Sequence, residues 1–323
     1  MKIAVIDDYS DVFRNCTCYA RLKDHEVVIF HDIVKDLDVL AGRLKDADAL
    51  VLTQSRSKFP RAIIERLPKL RMIAQTGRTT THLDVAACTE KGIIVATAGA
   101  DATRAVAELT WALILAALRH IPHEVAQLKQ GAWQSTVGTG LNGKTLGLYD
   151  FDNAGAIVAG VAKAFGMKVI CWEGPEPNAK AREAGCESTN RDALFADADV
   201  LSLHGALTKD TRGSIVAADL ARMKPTALLV NTDRAQLIAD GALVEALKRG
   251  CPGHAAVDVY ETEPVLGGTH PLLGLPNAVC TPHLGNVEWG VLEKLYSGAI
   301  DGLLGFASGK PVNVHNPEVL QKK

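Results

Sequence analysis

Residues 145–155 read T-L-G-L-Y-D-F-D-N-A-G, and this stretch decides the fold. Its first five residues have the apolar, β-prone character of a buried strand, and the small residues after position 155 favour a helix. A glycine-rich turn between such a strand and helix lets backbone N–H groups approach a pyrophosphate at the helix N-terminus. Glu173 follows the next predicted strand, eighteen residues beyond Gly155, where an acid would bind a ribose diol. The stretch therefore predicts a dinucleotide-binding βαβ unit.

The turn itself departs from the G-x-G-x-x-G pattern. Asp150 and Asp152 occupy the first two glycine positions, and only Gly155 keeps the third. A carboxylate ~5 Å from a phosphate at an effective dielectric constant near 20 is repelled by about 3 kcal/mol. If the two side chains face the pyrophosphate, they weaken NAD binding or abolish it; if they turn outward, the phosphate cradle is lost as well.

Strand-like runs alternate with helix-like segments along the whole chain. The runs occupy residues 3–6, 27–30, 50–52, 73–75 and 93–95, and then 146–149, 169–172, 200–203, 228–231, 255–259 and 279–281. The chain between successive runs is long enough for the crossover helices that parallel strands require. One long helix is expected over residues 105–131, between the two series. The pattern predicts an α/β protein with two doubly wound, Rossmann- or flavodoxin-like parallel sheets.

Composition narrows the class of protein. A chain of 323 residues with 47% hydrophobic and 22% charged residues is typical of two globular domains. A net charge of −2 gives no indication of the basic surface that nucleic-acid binding requires. The longest apolar run, residues 111–118, is too short to span a membrane. An acidic N-terminal segment argues against a signal peptide and favours a cytoplasmic location. Seven irregularly spaced cysteines predict buried free thiols, and Cys16-x-Cys18 lacks a second pair for zinc.

The second half of the chain carries a series of motifs in a recognisable order. They read KTLG (144–147), KAFGMKVI (163–170), MKP (223–225), VNTDRA (230–235), DVYETEP (258–264) and TPHLG (281–285). In the first half, QTGR (75–78) and LDVAAC (83–88) are similar to a substrate-loop region. Over essentially its whole length the chain resembles the D-2-hydroxyacid dehydrogenases, the family of D-glycerate, D-lactate, phosphoglycerate and formate dehydrogenases.

The resemblance implies a domain organisation and an assembly. Residues 1–100 and 289–323 would form a discontinuous substrate domain, and residues 101–288 would form the dinucleotide-binding domain. The active site would lie in the cleft between the domains. The protein would be a homodimer that associates through the cofactor domain, with a contribution from the long helix after residue 104.

Three residues would carry the chemistry if the resemblance holds. Arg234 would hold the substrate carboxylate and polarise its 2-oxygen through a charge-assisted fork. His283 would be the general acid/base, and Glu263 would hydrogen-bond it and raise its pKa toward the working range. Taken singly, each residue type is common in structural roles; together, within their own motifs, they favour a site.

The remaining site residues also follow from the resemblance. Gly77, Arg78 and Thr79 would contact the substrate, and no metal is expected. Glu173 would favour NAD over NADP, because a carboxylate repels a 2′-phosphate. The residues expected to bind the cofactor are Asn153, Ala154, Gly155, Glu173, His204, Thr208, Thr232 and Asp258.

One further departure concerns charge. Asp233 stands where relatives commonly have a small residue, and it could pair with Arg234. Together with Asp150, Asp152 and Glu173 it would line an acidic crevice. Such a crevice could hold a divalent cation, but the simpler interpretation is that these are exposed loop carboxylates without a ligand.

Three functional hypotheses follow. The first is a D-2-hydroxyacid dehydrogenase that transfers hydride between NAD(H) and a small 2-hydroxy or 2-oxo acid. The second is a redox-neutral isomerase, lyase or hydratase that reuses the Arg/Glu/His site without NAD. The third is a non-catalytic binding protein on the same fold. A changed cofactor preference, brought about by the two loop aspartates, is a variant of the first.

Overall fold

The computed structural model describes residues 1–174 and 180–321, which fall into two compact units. Unit 1 comprises Met1–Asp101 and Glu288–Lys323, and unit 2 comprises Ala102–Val287. Residues 175–179 lie outside the described residues, as do residues 322–323 at the end of the predicted substrate domain. Each unit is built on one parallel sheet, so the predicted pair of parallel α/β sheets is confirmed.

Unit 1 contains a five-stranded parallel sheet in the order β2-β1-β3-β4-β5, the flavodoxin-like order. Its strands are β1 Lys2–Ile6, β2 Glu26–Ile29, β3 Ala49–Leu52, β4 Met72–Thr76 and β5 Ile94–Ala98. The helices between them are α1 Val12–Asn15, α2 Leu37–Leu44, α3 Arg61–Ile64 and α4 Val85–Glu90, with a 3-10 turn at Thr17–Leu22. Strands β1 and β3 are almost entirely buried, as expected for a sheet covered on both faces.

The C-terminal part of the chain completes unit 1. Helix α12, Trp289–Ala307, packs on strands β4 and β5. Its close approach depends on Gly298, where an added Cβ would lie 2.6 Å from the Cβ of Ala98. A 3-10 turn at Pro317–Gln321 follows, and Asn316 accepts a hydrogen bond from the Val95 amide at 2.8 Å. Part of unit 1's core is therefore supplied by residues far along the chain.

Unit 2 contains a seven-stranded parallel sheet in the order β12-β11-β10-β9-β6-β7-β8. The strands are β6 Thr145–Tyr149, β7 Lys168–Trp172, β8 Glu187–Ser188, β9 Val200–Leu203, β10 Leu228–Asn231, β11 His254–Val257 and β12 Ala278–Cys280. Its helices are α5 Thr103–Leu118, α6 Ile121–Lys129, α7 Asn153–Ala164, α8 Lys180–Glu183, α9 Arg191–Asp197, α10 Ala217–Leu220 and α11 Ala242–Arg249, with 3-10 turns at Ala235–Leu237 and Pro271–Gly274. The order reverses between β6 and β9, the switch point at which ligands bind in such sheets.

Two details of unit 2 differ from the prediction. The edge strand β8 was not anticipated, because two residues are too few to produce a sequence pattern. The single helix expected over residues 105–131 is wrong: α5 and α6 are separate helices that meet at a bend of 59°. His120 adopts a left-handed φ of +52°, and Pro122 in the first turn of α6 cannot donate the backbone hydrogen bond that a continuous helix requires.

Among the residues that the structure describes, no single helix combines the length and apolar character needed to cross a bilayer, although α5 and α6 taken together across their bend satisfy both criteria.

All seven cysteines are free thiols, as predicted. Five are buried, but Cys251 and Cys280 are half-buried, so the prediction that all seven are buried is wrong for these two.

Candidate active site

The three predicted catalytic residues follow three neighbouring strands of unit 2. Arg234 comes after β10, Glu263 after β11 and His283 after β12, and these strands are adjacent in the sheet. Because the strands are parallel, their carboxyl ends share one edge, where ligands of open α/β sheets bind.

His283 and Glu263 form a close pair at this edge. The Nδ1 atom of His283 lies 2.6 Å from Oε2 of Glu263, while Oε1 accepts a hydrogen bond from the Tyr260 amide at 2.9 Å. The hydrogen bond to Glu263 raises the pKa of His283 above its usual range, against the opposing effect of burial. Burial alone would raise the pKa of Glu263, but the hydrogen bond and charge of His283 outweigh it and lower that pKa. The pair therefore favours an imidazolium beside a carboxylate.

Hydrogen bonds to the Asp258 carboxylate hold the loop that carries His283. The buried carboxylate of Asp258 accepts hydrogen bonds from Oγ1 of Thr281 at 2.6 Å and from the amides of Leu284 at 2.7 Å and Gly285 at 2.9 Å. His283 itself has a left-handed φ of +54°, a conformation that a non-glycine residue keeps only when its surroundings hold it. Burial raises the pKa of Asp258, although these three donors favour its charged form. Asp258 is thus a positioning residue for the histidine, a role the sequence did not suggest.

Arg234 occupies a tight turn between β10 and the next 3-10 turn. The side-chain amide of Asn231 donates to the Arg234 carbonyl at 3.0 Å and closes this turn. The guanidinium donates to the carbonyl oxygen of Asp233 at 2.7 Å, and its side chain is 54% exposed. Its positive charge lowers the pKa values of both His283 and Glu263, so the three groups share one electrostatic environment.

The expected pairing of Asp233 with Arg234 is present. Their side chains lie 3.6 Å apart, which leaves a loose ion pair and a guanidinium still able to turn toward a ligand. Burial raises the pKa of Asp233 to about 6; Asp152 and Asp150 add to the rise, and Arg234 and His204 oppose it. Asp150 and Asp152 therefore add to the negative electrostatic environment of Asp233.

The loop between β6 and α7 is closed by its own side chains. Asp150 has a φ of +65°, the conformation in which glycine carries no penalty, and its Oδ1 accepts a hydrogen bond from the Phe151 amide. Asp152 is the N-cap of α7, and its Oδ1 accepts a hydrogen bond from the Gly155 amide at 2.6 Å. The Nδ1 atom of His204 lies 3.1 Å from the same oxygen. Asp152 thus caps the end of the helix, with about half of its side chain still exposed.

The other residues predicted to bind the cofactor lie along the same sheet edge. Asn153 and Ala154 form the first turn of α7, with Gly155 next to them. Glu173 follows β7, and its carboxylate accepts a weak hydrogen bond of 3.4 Å from the Ala181 amide.

Two threonines predicted to bind the cofactor differ in exposure. Thr208 is exposed and closes a turn with Thr211, whereas the hydroxyl of the buried Thr232 lies 2.7 Å from that of Thr110 on α5. Thr232 therefore has a partner within the protein, and only Thr208 presents its side chain to solvent.

The predicted substrate residues lie in unit 1, directly after β4. Gly77 has a φ of +102°, and its amide donates to the Ala98 carbonyl. The side chain of Arg78 lies flat over Gly99, where an added Cβ would come within 2.5 Å of the guanidinium Nε. Arg78 and Thr79 are exposed.

Metal-ligand groupings are found elsewhere. In the part of the chain that the structure describes, the clusters close enough to hold an ion are Cys16, Cys18 and Glu293, and Asp8, Asp11 and His31, all in unit 1. The carboxylates of the acidic crevice do not form such a cluster.

The sequence of this chain is similar to that of one known protein family. Residues 111–285 match the model of the D-isomer specific 2-hydroxyacid dehydrogenase NAD-binding domain. The chain belongs to the D-isomer specific 2-hydroxyacid dehydrogenase family. It is therefore an NAD-dependent 2-hydroxyacid oxidoreductase by descent, and the comparisons support neither the redox-neutral alternative nor the binding-protein alternative.

Individual family members are similar over most of the chain. A glyoxylate reductase of Aeropyrum pernix is 35% identical over 294 residues, covering 88% of this chain and 87% of the relative. A hydroxypyruvate reductase of Blautia hydrogenotrophica is 29% identical and covers 98% and 100% of the two chains. The crystal structure of a phosphoglycerate oxidoreductase from Vibrio cholerae superposes with a TM-score of 0.90 at 41% identity, covering 96% and 99%. The resemblance inferred from the motifs is confirmed.

The residues present fit the dinucleotide of this family except at the loop. Glu173 follows β7, where the sequence predicts a ribose contact. Gly155 keeps the third glycine position, where an added Cβ would lie 3.3 Å from both Asp152 Oδ1 and the His204 ring. The helix end that would receive the pyrophosphate, however, carries the Asp152 carboxylate. A pyrophosphate bound there would therefore meet the charge of the Asp152 carboxylate.

The Glu263→Gln substitution should shift the pH profile of reduction. If His283 is the proton donor that the sequence predicts, it must be protonated to act, so kcat/KM for reduction should fall as the pH rises through its pKa, which Glu263 raises. Glutamine keeps the shape of the Glu263 side chain but removes its negative charge. The falling limb of the kcat/KM profile should therefore move to lower pH by about one unit, and kcat/KM on the acidic plateau should change less. Initial rates between pH 5 and pH 9 measure the shift, and an unchanged limb would contradict the role of Glu263.

Proposed function

We propose that the chain reduces a small 2-oxo acid to the D-2-hydroxy acid, using Arg234, Glu263 and His283. The observation that carries the proposal is the 2.6 Å pair of His283 and Glu263 within the electrostatic range of Arg234. The bound nicotinamide supplies the hydride that adds to C2 of the acid. The protein's own residues supply binding, orientation and the proton.

The proton comes from His283. Its Nδ1 is engaged by Glu263, which leaves Nε2 as the atom that donates a proton to the 2-oxygen while that oxygen gains negative charge. Asp258 holds the Thr281–Gly285 loop by three hydrogen bonds, so the imidazole direction is fixed before substrate arrives. The guanidinium of Arg234 binds the substrate carboxylate in a fork and polarises the carbonyl.

Charge favours the direction of reduction. Glu263 keeps the pKa of His283 above its usual range, so the imidazolium persists toward neutral pH and can act as an acid. The reverse oxidation needs the neutral imidazole and should therefore be fastest at alkaline pH.

For the substrate we propose an unphosphorylated 2-oxo acid of two or three carbons, with Gly77, Arg78 and Thr79 contributing to its binding. The relatives named glyoxylate reductase and hydroxypyruvate reductase act on acids of this size.

A direct assay tests this proposal. Purified protein is mixed with NADH and, in turn, glyoxylate, hydroxypyruvate and 3-phosphohydroxypyruvate, and the loss of NADH absorbance is followed. We expect turnover of the first two acids, with a kcat/KM at least tenfold above that of the phosphorylated acid. The proposal fails if none of the three acids accelerates NADH oxidation at saturating cofactor, and its substrate part fails if the phosphorylated acid is preferred.

We also propose that the protein is a cytoplasmic homodimer associated through α5, α6 and the segment after them. This surface carries a set of large apolar side chains that are exposed in the single chain, namely Ile121, Val125, Leu128, Trp133 and Val137. Exposed apolar groups of this density are typical of an interface between subunits. Light scattering on the eluted protein should therefore give a mass near twice 34.4 kDa.

A further inference from the structure

The N-terminus of α7 already holds a carboxylate. Asp152 Oδ1 accepts the Gly155 amide hydrogen bond at 2.6 Å, and the side chain of Asp152 is 49% exposed. Free amides and a positive helix end make this position an anion site in dinucleotide-binding folds. The Asp152 carboxylate occupies one of these amides, that of Gly155, at no cost in translational entropy because it belongs to the same chain.

A buried histidine keeps Asp152 in this position. His204 is 3% exposed, and both its ring nitrogens have partners: Nδ1 lies 3.1 Å from Asp152 Oδ1 and Nε2 lies 3.0 Å from Oγ of Ser202. Burial alone would raise the pKa of Asp152, but the hydrogen bond and charge of His204 outweigh it and lower that pKa. The carboxylate therefore stays ionised and held from two sides.

Gly155 is in close contact with both members of this pair. An added Cβ at Gly155 would come within 3.3 Å of both Asp152 Oδ1 and Cγ of His204. Asp150 at the preceding glycine position and Asp233 beyond His204 add negative charge around the same point. A phosphate oxygen at this helix end would compete with Asp152 Oδ1 for the Gly155 amide and would be repelled by its charge.

We propose that Asp152 is an intramolecular competitor of the cofactor pyrophosphate, held by His204, and that its displacement sets the dinucleotide affinity of this protein. The inference rests on the dinucleotide use in the proposed function. It assigns to Asp152 and His204 a regulating role in place of the direct cofactor contact expected for His204.

The test compares NADH binding to the full-length protein and three variants by titration calorimetry. Asp152→Gly should lower the Kd at least tenfold, and Asp152→Asn should lower it less, because asparagine still caps the helix but carries no charge. Asp36→Gly is the matched control: Asp36 caps α2 through the amides of Asp38 and Val39, in unit 1. Its removal should reduce thermal stability by a comparable amount and leave the Kd unchanged.

The outcomes separate this inference from the proposed function. A Kd for Asp152→Gly and Asp152→Asn within twofold of the wild-type value, or weaker, overturns the competitor role, even if the wild type reduces 2-oxo acids. Tighter NADH binding by both variants with no 2-oxo acid reduced supports the competitor role and overturns the proposed function. Absence of NADH binding in the wild type and in both variants overturns both. If Asp152→Gly does not fold, Asp152→Asn alone decides, because its cap is retained.

Discussion

Replacing His283 by asparagine should lower kcat for 2-oxo acid reduction by about 10²–10⁴-fold, the range typical of losing a general acid. Asparagine can still donate a hydrogen bond, but it cannot deliver a proton to the 2-oxygen. KM and NADH affinity should change little, because the substrate carboxylate is bound by Arg234 in the proposed mechanism. Steady-state rates for glyoxylate at saturating NADH measure the effect.

A second histidine–carboxylate pair provides the control for this substitution. His270 Nε2 lies 2.9 Å from Glu261 Oε2, in the same unit but outside the proposed machinery. His270→Asn should leave kcat within threefold of the wild-type value. If His283→Asn retains more than a tenth of the wild-type kcat, another group supplies the proton and the assignment of His283 is incorrect.

Replacing Arg234 by glutamine should lower kcat/KM by about 10²–10³-fold, with a large part of the loss in KM. Two charge-assisted hydrogen bonds to a carboxylate are together worth about 3–4 kcal/mol, and each 1.4 kcal/mol is tenfold. Removal of the positive charge also changes the neighbours: Arg234 lowers the pKa values of His283 and Asp233, so both should rise. Kinetics with glyoxylate give the kcat and KM changes separately.

Two further variants make this result specific. Arg234→Lys keeps the charge but loses the planar fork, and it should recover only part of the activity. Arg212→Gln changes an exposed arginine of the same unit and should have no measurable effect. Wild-type KM in Arg234→Gln would show that the substrate carboxylate is bound elsewhere.

The sheets were predictable from the sequence because their strands are short, apolar and evenly spaced. Each of the eleven predicted strands overlaps an observed one, for instance residues 228–231 with β10. The break at His120 was not predictable from hydrophobic periodicity, because the apolar pattern continues from α5 into α6 on both sides of it. Pro122 was the available signal, since proline fits the first turn of a helix and opposes its interior.

The site was predictable where it depends on motifs and unpredictable where it depends on side-chain direction. The motif around His283 marks a residue type and a position, and the structure shows the partner, Glu263, at hydrogen-bond distance. The sequence allowed Asp152 to face the cofactor or the solvent. It takes a third direction, onto the helix end, because the buried His204 comes to it from a strand about fifty residues away. Such long-range pairs leave no local pattern.

The attachment of the C-terminal helix to unit 1 has a consequence for how the protein is made on the ribosome. Glu293 of α12 accepts hydrogen bonds from the Thr17 amide at 2.9 Å and the Cys18 amide at 2.9 Å, residues that leave the ribosome long before α12 is synthesised. Tyr296 and Leu303 of the same helix are buried in the core of unit 1. We therefore expect the first hundred residues to remain incompletely folded, with apolar surface exposed, until unit 2 and α12 have been translated. Truncation before α12 should leave unit 1 aggregation-prone.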